Sequence, residues 1–157
     1  VITLLLAATQ TLVGLWSYSA FDSSGYKIAH GTITLRPPTA VERKEEPKKG
    51  TYFLGSKKIT CVNLTKYGSH GAHDLPTDIK LPQGLKTDVV FAEFLDGKIH
   101  LDLSYGWFDD NIWLTGDFAG GSIRGTWEWA TESGIRNRGK FSMSRIVNSA
   151  TKAAPKR

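Results

Sequence analysis

The residues best suited to chemistry stand in one short run, His70-Gly71-Ala72-His73-Asp74. Two imidazoles three positions apart, beside a carboxylate, can hold a transition metal if a third ligand arrives from elsewhere, here His30 or His100. No cysteine pair and no His-Glu-x-x-His frame accompanies them, so the run is read as polar loop, with no metal and no cofactor implied. Asp109-Asp110-Asn111 offers oxygens to a hard cation, but it lacks the ligand spacing of a calcium loop and reads as a turn. Asp102, Asp117 and Glu128 are the carboxylates from which a glycosidase pair would be drawn, and the strand pattern puts all three on outward faces. A Gly-x-Ser-x-Gly elbow, a phosphate loop and a dinucleotide fingerprint are all missing. No catalytic residue is assigned.

The chain that must position any site has 157 residues, enough for one domain with a sizeable core. Its single cysteine, Cys61, excludes an intrachain disulfide and, in an apolar-alternating run, reads as a buried thiol. The formal charge of +5 is concentrated in a tail carrying Lys152, Lys156 and Arg157 without an acid. The segment Glu42–Lys49, with four basic and three acidic residues, nearly cancels itself. The basic stripe of a nucleic-acid binder is therefore missing from the body, and no nucleic-acid partner is expected. Asn63-Leu64-Thr65 is a glycosylation sequon, informative only for a eukaryotic secreted protein.

Residues 1–11 form an apolar segment, Val1-Ile2-Thr3-Leu4-Leu5-Leu6-Ala7-Ala8 at its start, too short to span a bilayer. It reads either as the remnant of an export signal or as a strand or helix plugging one end of the fold. A secreted or periplasmic location is expected under both. Residues 12–148 form the folded domain, and 149–157 a flexible basic tail.

Within that domain the dominant period is two. Gly14, Trp16, Tyr18 and Ala20 alternate with Leu15, Ser17 and Ser19, and Ser23-Ser24-Gly25 turns into a second strand over 26–35. Pro37-Pro38 ends that strand, and 39–49 is expected to be a charged mobile loop. Strands are expected over 51–54 and 57–64, followed by a long loop over 66–86. The remainder is a meander: 88–95 and 98–105 joined by Asp96-Gly97, 111–119 and 122–130 joined by Gly120-Gly121, then 138–147. The predicted fold is all-β, a single antiparallel meander barrel of about eight strands, with a short N-terminal helix or strand as an optional addition. Alternation puts Ile99, Leu101, Leu103 and Tyr105 on one face, with Ile112, Leu114, Gly116 and Phe118, and Ile123, Gly125, Trp127 and Trp129, on the equivalent faces of the next strands.

The segment Leu12-Val13-Gly14-Leu15-Trp16 resembles the Gly-x-Trp signature of the lipocalin and wider calycin barrels. The resemblance implies that Trp16, set up by Gly14, closes the barrel floor and that Arg145 of the last strand packs over it. It covers a few residues at each end of the chain. The family's later Asp motif and C-terminal helix are not evident.

If such a barrel keeps a cavity, its aromatic residues are the candidate lining: Phe91, Tyr105, Trp107, Trp113, Phe118, Trp127 and Trp129. Three functions stay open. The leading one is binding of a small hydrophobic or amphipathic ligand inside the barrel. A cyclase or isomerase acting on an apolar substrate is the second, favoured if His30 or Tyr105 faces the interior. The third is an interaction protein, such as a protease inhibitor or assembly subunit, with which a homo-oligomer is compatible.

Overall fold

The computed structural model describes residues 12–45, 51–61, 89–103, 110–132 and 134–147. Eight strands and one short helix follow in order: β1 (Gly14–Phe21), β2 (Lys27–Arg36), α1 (Ala40–Glu45), β3 (Tyr52–Cys61), β4 (Val89–Leu95), β5 (Lys98–Asp102), β6 (Asp110–Ala119), β7 (Ser122–Thr131) and β8 (Gly134–Arg145). Each strand pairs antiparallel with the next, and β8 returns to β1, so the sheet is a closed barrel. Closure leaves no strand with an unpaired edge. The architecture is consistent with a calycin-type barrel without being specific to it. Among the described residues no helix is long and apolar enough to cross a membrane.

Turn chemistry and alternation produce this meander directly. Asp96 and Gly97 both adopt positive φ (53° and 78°), as do Gly120 and Gly121 (57° and 84°), which matches the right-handed twist of the strands they join. Inward positions carry the core: Trp16, Ile33, Val90, Ala92, Ile99, Leu114 and Ile123 are fully buried. Tyr18, Phe53, Trp127, Phe141 and Met143 fill the space between them.

A barrel of eight strands is just wide enough for side chains to fill. In one ladder glycine faces glycine: Gly116 of β6 pairs with Gly125 of β7. A Cβ at Gly125 would collide with the Thr115 carbonyl and the Gly116 Cα, and one at Gly116 would lie 2.9 Å from the Phe141 ring. The missing side chains let the ring of Phe141 lie against the backbone.

Two expectations are corrected. Residues 40–45 are not loop but α1, because Thr39 and Glu42 make a reciprocal cap: the Glu42 amide donates to Thr39 Oγ1 and Glu42 Oε2 accepts from the Thr39 amide at 2.7 Å. Arg36 clamps the same carboxylate with two hydrogen bonds of 2.8 and 2.7 Å. The second correction is β3, which runs unbroken through Gly55-Ser56. Its pairing with both β2 and β4 outweighs the turn-like composition of that dipeptide. The expected segments 1–11, 66–86 and 149–157 lie outside the described residues.

Gly125→Ala is expected to destabilise the protein by roughly 1–3 kcal/mol, the usual cost of overpacking a tight site, measured as a lowered urea midpoint at constant slope. A change within about 0.5 kcal/mol would mean that β6 and β7 part without strain. The Arg36 hydrogen bonds, followed by the Thr39 amide, hold the Glu42 carboxyl at about 2, below its ordinary 4.5. With the folded value depressed, the stabilisation from ionised Glu42 is complete above the ordinary value and is lost as pH falls through the depressed one. The stability gap between wild type and Glu42→Gln should therefore be small, level near neutral pH, and close in acid. A gap that persists unchanged in strong acid would contradict the clamp.

Candidate functional site

The two ends of the barrel differ. At the end holding the start of β1 and the finish of β8, Trp16 is fully buried and its Nε1 donates to the Leu12 carbonyl at 2.9 Å. Trp16 and Arg145 are register partners across the β1–β8 seam, and the guanidinium carbon lies 5.0 Å from the indole centroid. That is a cation–π contact, worth on the order of 1 kcal/mol where partly desolvated. Phe118 meets the same indole edge-on, with centroids 6.2 Å apart and planes at 75°. Gly14 holds a φ of 140°, which L side chains rarely adopt, and the Arg145 guanidinium lies in ordinary contact, 3.9 Å from where a Cβ would stand. Leu12, Trp16, Phe118 and Arg145 together seal this end.

The opposite end carries an inward charge. The β3 register places Lys57 across from Ile33, a fully buried core residue, so Lys57 points inward. It is only 8% exposed, and its Nζ donates to the carbonyl of Leu103, just beyond β5. A buried ammonium must be hydrogen-bonded to be tolerated, and its aliphatic stem can still lie on apolar neighbours. Around it, Ile59, Ile112 and Trp129 pack onto the core yet remain only partly buried. Asn137 faces Trp129 across β7 and β8. This end therefore presents an apolar rim with a few polar groups set into it.

The aromatic candidates divide between the two faces of the wall. Phe118, Trp127 and Trp129 belong to the interior. Trp127 is nearly fully buried, and its Nε1 donates to the Phe21 carbonyl at 2.7 Å. Phe91 and Trp113 are not interior. Phe91 stacks on Tyr52, with centroids 5.6 Å apart, in a separate cluster with Leu54. Arg43 of α1 covers the Tyr52 ring from 5.8 Å. Trp113 is 46% exposed on the outer wall. Tyr105, Trp107, His70 and His73 lie outside the described residues. His30 is exposed, so it gives an enzyme reading no support from inside the barrel. Among the described residues, no group of three or more His, Cys, Asp and Glu is placed to hold a metal ion.

A groove of about 270 Å³ crosses the outer wall over β4, β5 and β6. Phe91, Glu93, His100, Asp102 and Trp113 line it. Asp102 is the register partner of both Phe91 and Trp113, and Glu93 that of His100. His100 Nδ1 and Thr115 Oγ1 are 3.2 Å apart, and Asn111 Nδ2 donates to Asp102 at 3.4 Å.

Neither the inward Lys57 nor this groove was singled out by sequence reasoning. The period-two series Phe53, Gly55, Lys57, Ile59 holds the signal for Lys57, once β3 is read as one strand. For the groove the signal is Trp113 standing opposite Leu114 on its strand. No family model matches the chain, and no curated protein matches it.

Trp16→Ala should cost roughly 3–5 kcal/mol of stability, because it removes a fully buried indole and leaves a cavity. Arg145→Met should cost less, retaining the stem against the ring while losing the charge. Chemical denaturation of both variants checks the seal. Equal losses would place the stabilisation in the guanidinium and not in indole burial.

Proposed function

We propose that the barrel binds a small hydrophobic or amphipathic ligand, admitted at the end opposite Trp16 and Arg145. The observation that carries this reading is the pairing of a partly buried apolar rim, Ile59, Ile112 and Trp129, with the inward Lys57. Ligand sites are mainly apolar walls with a small number of placed polar groups that fix orientation. The apolar part of the ligand lies against the rim, and its polar end turns toward Lys57 and Asn137. The sealed end supplies the rigid floor. Its interlocked Trp16, Phe118 and Arg145 keep the wall from collapsing when the other end takes up a guest.

Native mass spectrometry of protein purified from its own cells tests the proposal. The expected spectrum carries a small molecule that leaves on denaturation. Titration with anilinonaphthalenesulfonate should show saturable one-to-one binding, weakened at least about tenfold, or some 1.4 kcal/mol, by Trp129→Ala. A bare chain mass together with no saturable uptake of the dye would overturn it.

A further inference from the structure

The geometry points to a second binding site, outside the barrel: the groove over β4, β5 and β6 takes a small alkylammonium cation. Its lining combines two chemistries. Phe91, Leu95 and Trp113 supply apolar surface, and Glu93 and Asp102 supply carboxylates. Alkyl groups around a positive nitrogen match that combination, whereas a bare metal ion would match only the acids. Glu93, His100 and Asp102 are not grouped as a metal-ligating set. Trp113 is the platform. Its indole is about half exposed, and tryptophan has the aromatic face that attracts cations best.

Charge supports the same occupant. The chain as a whole is formally +5, yet among the described residues this groove is lined by two acids and one imidazole, with no lysine or arginine. Glu128 adds a third carboxylate beside it, as the register partner of Trp113 on β7. The nearest lysine on β5, Lys98, is engaged by Asp117 at 3.0 Å. A small solute fits better than an extended peptide. Strands β4, β5 and β6 are each paired on both sides, so no edge is open to an added strand, and the volume is about 270 Å³.

Tetramethylammonium chloride is the probe, titrated at constant ionic strength against sodium chloride and followed by the indole N–H resonances. The Trp113 signal is the one lost in Trp113→Phe. It should shift saturably with tetramethylammonium and not with tert-butanol, a neutral solute of similar shape. Glu93→Gln with Asp102→Asn should weaken the response at least about tenfold. The hydrogen-bonded indoles of Trp16 and Trp127, on the inner side of the barrel wall, report whether the variant keeps its fold. If they move, Glu93→Gln alone replaces the double variant, with a weaker response still required. An equal response to tert-butanol, no saturation, or unchanged binding in the folded variant would each overturn the proposal.

Discussion

Six register pairs join β1 to β8, from Trp16–Arg145 to Phe21–Lys140, and they turn a meander into a barrel. Without that seam, β1 and β8 would be edge strands with open hydrogen-bonding groups, and the inward face would be a curved sheet open to water. With it, the first and last strands must meet at one register, and this fixes the stagger of all the ladders between them. Trp16 and Arg145 sit at the seam's end, where one side chain fills the floor and the other covers it. The seam also explains the glycines. Inside the closed ring the Phe141 ring lies against the paired β6 and β7 backbones, and Gly116 and Gly125 are positions where that approach has no room for a Cβ.

Closure with unequal ends gives the molecule a direction. At the Trp16 end the indole is fully buried under Arg145 and Phe118, with Val13, Phe94 and Phe118 themselves partly buried around it. At the far end, Ile59, Ile112 and Trp129 keep apolar surface in contact with water beside an ammonium already taken out of it. Covering the remaining apolar area is favourable at roughly 25 cal/mol per Å². The cost of burying Lys57 is met largely within the fold, through bonds such as that to the Leu103 carbonyl. A ligand arriving there would gain apolar burial without having to desolvate the charge anew.

Much of the wall was legible because its signals are local. Positive φ at Asp96-Gly97 and Gly120-Gly121 and strict alternation in β6 and β7 depend on neighbours in sequence, and these strands fall within a residue or so of their expected bounds. Periodicity put Gly14 and Trp16 on one face of the first strand, and a family resemblance suggested their role at the floor together with Arg145. What escaped depends on distant pairing. Gly55-Ser56 looks like a turn until β2 and β4 are placed on either side of it. In Val89-Val90-Phe91-Ala92 every residue is apolar, so alternation cannot say which face is inside. Phe91 proves to be outside, stacked on Tyr52. Lys57 escaped because a charged residue is assigned to solvent by type, while its register with Ile33 turns it inward.

Phe91 and Trp113 bear on the outer wall for the same reason. An eight-stranded barrel has one inside and no edges, so apolar residues in excess of what the interior holds must be placed on the outer face. There they need cover. Tyr52, Leu54 and Phe91 bury one another, with Arg43 of α1 laid over the Tyr52 ring. Among the described residues Trp113 has no such roof and stays about half exposed, flanked across the strands by Asp102 and Glu128. A tryptophan placed only to fill β-sheet surface would gain nothing from carboxylates on both sides, because their charge holds water against the indole edge. A cation on the ring face reverses that relation: the same carboxylates then stabilise what the indole attracts.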